Sequence, residues 1–538
     1  MTAKLSLLYV GEPGTVREKS FVDFLEQKFA SVRTASLADI GSLELSGIDV
    51  TVIDGEPTAG TVGPPERIVP QDLPTATVLI GGVGGKVADA MGLKLGWSFG
   101  CLCLNHQAIV EDTAHVIFEG PFEVPTVETT NIDAPENFGH FAPVKTVAAT
   151  YPVAEMFTPE EPATDFDERI AAAQAAGDMT ALMAVINEAP TPGLVTTSAG
   201  FFDSPDMESI LGGINQKAHD YVAVGRHARF TQWGFHGDPS VMSPLGQALF
   251  ANTIVYAAKF TDAPILAKRV QLPRAILELS LNAFGQAADT TFRDGVPAGF
   301  TTGPEADNTD WWTANRGYVR QIGSGRLGSW VFDTDLAEFG IANDDLALLD
   351  RLADGLDAEG EAGDRARKLW DRYVKRPTGD AAGERAWLAE HREQLFFSDW
   401  AGYRWISPND LPELIPSRAI GVTDGSVTMH LSAHRGADGQ VTAELSFRIQ
   451  DGWYLYSPSA SDGIPVAVTP TPGATLKLSA LPEFPVTDDG HLTQYFALRL
   501  ALKGDGTQVS LDVTLQPCDA QQCLPPATIT VTCTATTE

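Results

Sequence analysis

The sequence predicts a multidomain protein in which an α/β domain (residues 1–265) is followed by a mainly helical connector (266–417) and an antiparallel β-sandwich (418–538). The length of 538 residues suits about three or four domains of ordinary size. The first half alternates short apolar strands with helical patterns, whereas the last part alternates apolar and polar residues with period two. These observations predict the order of fold classes along the chain.

The α/β domain is predicted from apolar segments of strand length that are separated by amphipathic helices. In the first helix, Phe21, Leu25 and Phe29 recur at helical spacing. Strands are expected at residues 5–10, 49–54 and 76–82, and helices at 16–30 and 243–260. Short apolar strands in alternation with helices favour a parallel sheet that is covered by helices on both faces.

The connector and the sandwich are predicted from two different periodicities. The connector places Leu and Trp at helical spacing among mixed charges, which predicts helices at residues 344–356, 364–376 and 384–397. Alternating strands follow at residues 427–434, 441–449, 475–481, 495–502 and 509–516. Segments rich in Gly, Pro and Asp separate these strands and are typical of turns. Several short strands at this spacing indicate an antiparallel sandwich.

The composition excludes several classes of partner. Asp and Glu number 70 against 37 Lys and Arg, which gives a net charge of −33 and a pI near 4.5. Nucleic acids and anionic membranes are bound by basic patches, so neither is expected as a main partner. No apolar run reaches the roughly 18 residues of a membrane-spanning helix. Residues 1–14 lack the long apolar core of a secretory signal, so a cytoplasmic location and a leader outside the printed sequence both stay open.

The segment GGVGGK at residues 81–86 predicts a glycine turn at the end of a strand. It does not match a phosphate-binding loop, because Ile80 and Val87 occupy positions where that motif needs Gly and Ser or Thr. In α/β sheets, ligands bind beyond the carboxyl ends of the strands. The candidate ligand-binding residues are therefore Asp54, Glu56, Gly81, Gly82, Gly84, Gly85, His219, His227 and His236. No metal site and no cofactor are predicted.

Cys101 and Cys103 are not predicted to be catalytic. A nucleophilic cysteine of an amidotransferase sits on a sharp strand-to-helix turn between glycines, and Cys103 has no flanking glycine. The glycine-rich turn itself has Val83 at its centre, and a valine cannot act as a nucleophile. The α/β domain is thus predicted to lack a catalytic nucleophile.

Residues 1–265 resemble ThuA-like proteins of the glutamine amidotransferase-like superfamily. The resemblance is carried by VLIGGVGG, by HVIFEGPF (115–122), and by the segments at 215–226 and 231–260. It implies a flavodoxin-like α/β fold without the catalytic cysteine. It also implies a link to carbohydrate metabolism, and hence a carbohydrate-related small molecule as a ligand.

The segment LQPCDAQQCLPP carries the strongest chemical signal. Five cysteines in 538 residues are too few for a disulfide scaffold, yet Cys518 and Cys523 lie close together at a predicted strand end. A local disulfide that exchanges with thiols, a structural disulfide and two free thiols all fit this spacing. Asp519 raises the pKa of a neighbouring thiol, which favours Cys523 as the more readily ionised thiol. Cys533 is expected in a buried strand.

This last region resembles the amino-terminal domain of the thiol:disulfide interchange protein DsbD and related DsbC-like (disulfide corrector) domains. The segment GWYLYSPSASDGIPVAV (452–468) and the cysteine pair followed by Leu-Pro-Pro carry the resemblance. It implies an immunoglobulin-like fold, an extracytoplasmic location, and catalytic Cys518 and Cys523 that exchange with a thioredoxin-like protein partner. The loop 485–492, at the position of the aromatic cap of that family, contains no Phe, Tyr or Trp.

The leading hypothesis is thiol–disulfide exchange, or protein interaction, by the Cys518–Cys523 pair next to a catalytically degenerate ThuA-like domain. If the chain is an enzyme, it is expected to be a thiol–disulfide oxidoreductase. A first alternative is small-molecule binding or processing by the α/β domain, with the sandwich as a docking module. A second alternative is a non-catalytic scaffold.

Overall fold

A computed structural model describes most of the chain. The described residues are 3–55, 73–96, 100–104, 106–133, 150–158, 166–176, 193–213, 221–269, 271–275, 277–278, 292, 295–301, 308–322, 329–374, 380–408, 420–421, 427–436, 439–449, 453–460, 463–482, 484–485, 490–493, 495–518, 523 and 526–537. Over these ranges, no helix has the length and apolar character needed to cross a membrane. The α/β region, the helical region and the β-sandwich follow one another in the predicted order.

The front region combines helices with one large sheet. Its helices are α1 (Val16–Lys28), α2 (Gly81–Ala90), α3 (Phe166–Ala176) and α4 (Pro244–Ala257). Its strands are β1 (Ala3–Gly11), β2 (Phe29–Ser36), β3 (Val50–Ile53), β4 (Ala76–Ile80), β5 (Gly100–Leu104), β6 (Gln107–Ile109), β7 (Thr130–Asp133), β8 (Thr150–Glu155), β9 (Gly193–Thr197), β10 (Met207–Gly213), β11 (Tyr221–His227) and β12 (Phe230–Trp233).

The sheet is mixed rather than wholly parallel. Strands β2, β1, β3, β4 and β12 are neighbours in that order and run parallel. Strand β11 pairs antiparallel with β12, and the other described strands pair antiparallel beyond it. Only Ala228 and Arg229 join β11 to β12, and so short a connection permits antiparallel pairing alone. The flavodoxin-like assignment stays a prediction.

Helices cover both faces of the parallel strands, as predicted. In β1, Leu7 and Tyr9 belong to one buried core, together with Phe21 of α1 and Leu249 of α4. The alternate side chains of β1 belong to a second core with Val87 of α2. Successive side chains of a strand point to opposite faces, so α2 lies on the face opposite to α1 and α4.

The middle region is mainly helical. Its helices are α5 (Thr309–Asn315), α6 (Thr334–Phe339), α7 (Ala347–Gly355), α8 (Glu361–Tyr373) and α9 (Ala381–His391). Two strand pairs that the sequence did not predict join them: β13 (Val319–Ile322) with β14 (Ser329–Phe332), and β15 (Phe396–Ser398) with β16 (Arg404–Ile406). Leu352, Trp370 and Trp387 pack in the core between α7, α8 and α9.

A buried carboxylate of the front region joins the middle region to it. The ammonium group of Lys94 lies 2.6 Å from Oδ2 of Asp203, and both side chains are buried. The same carboxylate accepts hydrogen bonds from the Ser398 hydroxyl and, at 2.8 Å, from the backbone N–H of Asp399. Because a buried charge needs partners, this cluster fixes residues 398–399 against the α/β region.

The carboxy-terminal region forms the predicted β-sandwich, of immunoglobulin-like type. Its strands are β17 (Ile420–Gly421), β18 (Val427–Arg435), β19 (Val441–Ile449), β20 (Leu455–Tyr456), β21 (Ala467–Pro470), β22 (Lys477–Leu478), β23 (His491–Leu492), β24 (Tyr495–Lys503), β25 (Gln508–Leu515), β26 (Ala527–Thr534) and β27 (Thr536–Thr537). The main sheet has the order β17-β18-β19-β24-β22, and the second has the order β21-β25-β26. Alternate residues of the long strands fill the core, which confirms the period-two prediction.

Candidate functional site

The two cysteines of the sandwich form a disulfide at the tip of the β25–β26 hairpin. Leu515 and Ala527 are the last cross-strand pair of the two strands, and Cys518 and Cys523 pair again beyond them. The Cα atoms of the two cysteines are 4.0 Å apart. Cys518 therefore follows β25 and Cys523 precedes β26, and the two face each other across the hairpin.

Cys518 is also paired on its other side. The backbone N–H of Tyr454 donates to the carbonyl of Cys518 at 2.8 Å, and the N–H of Cys518 donates to the carbonyl of Tyr454 at 3.0 Å. Across this local ladder the order is Tyr454, Cys518, Cys523. Cys518 is thus held between two neighbours, whereas Cys523 lies at the outer position.

Three rings surround this ladder, and we call Tyr454, Tyr456 and His491 the aromatic group. The rings of Tyr454 and His491 stack with centroids 4.0 Å apart, and Tyr456 meets both of them edge-on at 5.5 Å. Gly463 packs against Tyr456, where a Cβ atom would lie 2.0 Å from a ring carbon, so a side chain would displace the ring. His491, in β23, contributes an imidazole ring that stacks on Tyr454, the residue whose backbone pairs with Cys518.

The two sulfur-bearing residues differ in exposure. Cys518 is fully buried, whereas Cys523 is exposed to solvent. An incoming thiolate can attack only a sulfur atom that it can reach, and access is one of the factors that sets the rate of exchange. The geometry therefore favours attack on Cys523, with Cys518 as the leaving thiolate.

Cys533 is placed away from the disulfide. It pairs with Val509 on β25, six residues along β26 from the Ala527 pair that adjoins the hairpin tip. At about 3.4 Å per residue this separation is roughly 20 Å, so Cys533 cannot resolve a mixed disulfide at Cys523. Burial raises the pKa of the Cys533 thiol to about 11. Its half-buried strand position agrees with the expected strand location.

The front region brings some of its candidate residues to the carboxyl ends of the parallel strands. Asp54 follows β3 and is fully buried. Arg17 binds it through two hydrogen bonds of 2.8 and 2.6 Å, and the Tyr9 hydroxyl donates a third at 2.7 Å. The Asp54 carboxylate is thus occupied by side chains of the protein, and its predicted role in ligand binding stays a prediction.

The strand-to-helix turn after β4 has a glycine at its strained position. Gly81 has φ of +51° and begins α2, whereas Val83 lies within that helix, so placing Val83 at the centre of the turn was wrong. Gly82 follows at the helix start. A Cβ atom on Gly81 would lie 3.1 Å from Nδ1 of His236, which follows β12. The imidazole therefore fills the space where a nucleophile on this turn would project.

The other two glycines of the motif lie inside α2. A Cβ atom on Gly84 would approach the Leu79 carbonyl carbon to 2.4 Å, so glycine is what lets α2 pack closely on β4. Gly85 is also buried in this helix. These two positions serve the packing of helix on strand in the structure, and their role in ligand binding stays a prediction.

His227 and His236 lie at opposite ends of the neighbouring strands β11 and β12. It ends β11 next to the start of β12, whereas His236 follows the end of β12. The backbone N–H of Lys94 donates to its Nδ1 at 3.1 Å, so the neutral ring carries its proton on Nε2, 3.2 Å from Asp206. Burial lowers the pKa of His227. His227 and His236 therefore do not share one site.

Some sequence predictions fall outside the described residues. These are Glu56 and His219, and also the side chains of Cys101 and Cys103. Within the described ranges, no group of three or more His, Cys, Asp or Glu side chains could hold a metal ion.

Comparisons with known proteins find a family match within the sandwich. Residues 425–535 match the family model "Thiol:disulfide interchange protein DsbD, N-terminal". Two similar solved structures are the N-terminal periplasmic domain of ScsB from Proteus mirabilis and the reduced DsbD N-terminal domain of Neisseria meningitidis. The first is 17% identical over 21% of this chain and 48% of that one, with a TM-score of 0.17, so the chain spans about half its length. The second is 16% identical over 23% and 92%, with a TM-score of 0.15. No curated protein matches this chain.

The family match and the disulfide together fit a thiol–disulfide exchange module at the carboxy terminus. The ThuA-like resemblance of residues 1–265 stays a prediction. The sequence analysis did not single out the aromatic group, although Tyr454 and Tyr456 lie in the segment that carried the resemblance. It also missed Lys94 and Asp203, because nothing local in the sequence links them to residues 398–399.

Proposed function

We propose that this chain is a thiol–disulfide exchange protein in which Cys518 and Cys523 are the catalytic pair. The single observation that carries the proposal is the disulfide at a hairpin tip, with Cys523 exposed and Cys518 buried. Thioredoxin-like proteins expose a reactive cysteine of their own, and the resemblance to the DsbD amino-terminal domain supports a partner of this class. The partner and this chain would pass two electrons between a dithiol and a disulfide.

The reaction follows from the exposure of the two sulfur atoms. A partner thiolate attacks Cys523, a sulfur–sulfur bond forms between partner and Cys523, and Cys518 leaves as a thiolate. A second partner thiolate then attacks its own half of the mixed disulfide, which releases Cys523 as a thiolate and leaves the partner oxidised. This chain gains two electrons, and the reverse sequence returns them.

The reduction potential tests this proposal. The disulfide is titrated in glutathione buffers in a variant with Cys101, Cys103 and Cys533 changed to Ser. A potential between roughly −120 and −270 mV lies in the range of exchange proteins, whereas a value below about −300 mV indicates a structural disulfide and rejects the proposal. Mixed-disulfide trapping is the second arm, with a thioredoxin whose resolving cysteine is replaced by Ser. The remaining cysteine of that thioredoxin is first activated as its disulfide with thionitrobenzoate, so that the Cys523 thiolate of Cys518→Ser displaces thionitrobenzoate and holds the mixed disulfide, whereas Cys523→Ser is not expected to form it.

We infer a second candidate function, the binding of a carbohydrate-related small molecule by the α/β region. The observation that favours it is the position of Gly82 and His236 beyond the carboxyl ends of neighbouring parallel strands, where ligands of α/β sheets bind. Burial, with a contribution from the Arg17 charge, lowers the pKa of His236 to about 3, so its ring is neutral and able to donate or accept one hydrogen bond. A sugar panel tests it: stabilisation that persists in Cys518→Ser and is lost in His236→Ala supports the function, and no stabilisation by any sugar rejects it.

A further inference from the structure

His227 is a buried histidine whose two ring nitrogens have different neighbours. Its side chain is fully enclosed at the end of β11. Nδ1 accepts a hydrogen bond from the backbone N–H of Lys94 at 3.1 Å, and Nε2 lies 3.2 Å from Oδ2 of Asp206. The neutral ring suits these neighbours, because it presents an acceptor to the N–H group and a donor to the carboxylate.

A proton added to the ring conflicts with this arrangement. In the imidazolium form both ring nitrogens are donors, so Nδ1 would direct a proton at the N–H group of Lys94. Burial, together with the positive charges of Lys94 and Lys268, lowers the pKa of His227 and outweighs the attraction of the Asp206 carboxylate. Protonation of His227 therefore breaks its hydrogen bond with the backbone of Lys94.

The chain segment that donates this hydrogen bond also holds the middle region. The carbonyl of Gly92 accepts a hydrogen bond from the backbone N–H of Arg269 at 2.8 Å. The Lys94 ammonium group lies 2.6 Å from Asp203, whose carboxylate accepts hydrogen bonds from residues 398–399. Movement of this segment would thus disturb two contacts with the middle region.

The other neighbour of the ring, Asp206, belongs to the same junction. Its Oδ2 atom accepts a hydrogen bond at 2.7 Å from the backbone N–H of Leu266, where the middle region begins. Its Oδ1 atom accepts from the Ser204 hydroxyl, which itself accepts from the Lys94 ammonium group. These side chains form one polar network, which we call the junction network: Lys94, Asp203, Ser204, Asp206 and His227.

We propose that His227 is an acid-sensitive switch that loosens the hold of the front region on the middle region. A proton on the ring displaces the N–H group of Lys94, and the segment that contacts the middle region moves with it. Water then reaches the ring, so the loosened state binds the proton more tightly than the closed state does. A histidine whose pKa is lower in the closed state favours that state above an ordinary pKa of about 6.5, and this preference is lost as pH falls further.

The two carboxylates of the junction network respond differently to acid. Burial acts to raise the pKa of Asp206, but its contacts with His227 and Lys94 outweigh burial and hold the pKa below its ordinary value, so Asp206 stays charged. Burial raises the pKa of Asp203, and the nearby charge of Asp399 adds to this rise. Proton uptake by Asp203 favours the closed state and so opposes the effect of His227. A test must therefore isolate the proton of His227.

Hydrogen exchange on the full-length protein tests the switch by comparison with His227→Gln. Glutamine keeps one acceptor and a donor but takes up no proton in this pH range. The amides of Lys94 and Asp399 report the opening of the junction, because both are hydrogen-bonded when it is closed. After correction for intrinsic exchange rates, we expect the opening equilibrium of the unmodified protein, relative to that of His227→Gln, to rise about tenfold from pH 7.5 to pH 5.5. A constant ratio would overturn the proposal.

His106→Gln is the matched control, since His106 is an exposed histidine of the front region that pairs with Glu155. Its opening equilibrium should follow that of the unmodified protein at every pH, and an effect equal to that of His227→Gln would overturn the proposal. Deuterium exchange at the Cε1–H of His227 needs no variant and measures the pKa of this ring directly. We expect a value below about 6.5, and a value at or above it would overturn the switch even if His227→Gln fails to fold.

Discussion

The imidazole ring of His491 stacks on the phenol ring of Tyr454 with centroids 4.0 Å apart, and the backbone of Tyr454 exchanges two hydrogen bonds with Cys518. One ring from loop 485–492 therefore holds in place the residue that pairs with the buried cysteine. The stack therefore adjoins the backbone of buried Cys518, whereas Cys523 is exposed.

Replacing His491 by Ala is expected to reduce the preference of an attacking thiol for the sulfur of Cys523 over that of Cys518. In the unmodified protein, glutathione should form its mixed disulfide at Cys523 in large excess over Cys518. Without the imidazole, Tyr454 loses its stacking partner and Cys518 gains exposure, so the excess should fall severalfold. Acid quenching followed by peptide mapping measures the two products.

His491→Phe is the matched control, since a phenyl ring can stack on Tyr454 as the imidazole does. It should restore the excess at Cys523. An unchanged product ratio in His491→Ala would show that the exposure of Cys523 alone decides which sulfur is attacked.

The sequence predicted the long strands of the sandwich closely, because one face of each is buried. Residues 427–434, 441–449, 495–502 and 509–516 were predicted, and β18, β19, β24 and β25 match them within a residue or so. The pairing of Tyr454 with Cys518 could not be predicted, because it joins residues 64 positions apart through backbone atoms that every residue has. The aromatic group was missed for the same reason: only the folded chain brings loop 485–492 to β20.

In the front sheet, the direction of the strands could not be predicted from the sequence. Short apolar segments predicted buried strands but not their direction, since parallel and antiparallel strands that are buried on both faces have the same composition. The two-residue connection between β11 and β12 was the signal for antiparallel pairing. The glycine run correctly indicated a sharp turn, yet which glycine takes the left-handed conformation depends on where β4 ends. That residue is Gly81, immediately after Ile80.

Cys533 is expected to react slowly with alkylating reagents despite its location in the same hairpin as the Cys518–Cys523 disulfide. Its pKa of about 11 compares with an ordinary value of 9.0, so at pH 8 its thiolate fraction is about a hundredfold smaller than that of an unshielded thiol. Iodoacetamide should therefore label Cys533 about a hundredfold more slowly than an exposed cysteine, as followed by mass spectrometry of its peptide.

Labelling in guanidinium chloride is the control, because unfolding removes the burial that raises the pKa and should return Cys533 to the ordinary rate. Fast labelling in the folded protein would contradict the buried position of this thiol.

The Asp203 carboxylate is expected to hold the middle region to the front region, since it accepts hydrogen bonds from Ser398 and Asp399. Asp203→Ala leaves the Lys94 ammonium buried without its carboxylate, and breaking a buried pair in this way costs about 3–5 kcal/mol. Denaturant unfolding should show that loss, together with an earlier transition for the middle region as its N–H and hydroxyl groups at 398–399 lose their acceptor.

Ser398→Ala is the matched variant, since it removes one hydrogen bond to the same carboxylate and leaves the charge pair intact. It should cost about 1 kcal/mol. Similar losses in the two variants would show that the Lys94–Asp203 charge pair within the front region adds little to stability.

Glu208 is expected to make the front region sensitive to acid. Burial acts to raise the pKa of Glu208, but hydrogen bonds from His115, Tyr256 and Arg226 outweigh it and hold the value at about 2, against an ordinary 4.5. A carboxylate whose pKa is lower in the folded state stabilises the fold above the unfolded pKa and loses that contribution as pH falls through the folded pKa. The contribution of Glu208 is at most about 3 kcal/mol and should disappear between pH 4.5 and 2.

Comparison of the unmodified protein with Glu208→Gln isolates this carboxylate from the other acidic groups. The difference in unfolding free energy should be largest at pH 6 and should shrink steadily below pH 4.5, as measured by urea unfolding at a series of pH values. The exposed residue Glu123 provides the control, and Glu123→Gln should show no such trend. A Glu208→Gln difference that stays constant from pH 6 to pH 3 would mean that the hydrogen bonds at Glu208 do not discriminate between its charged and neutral forms.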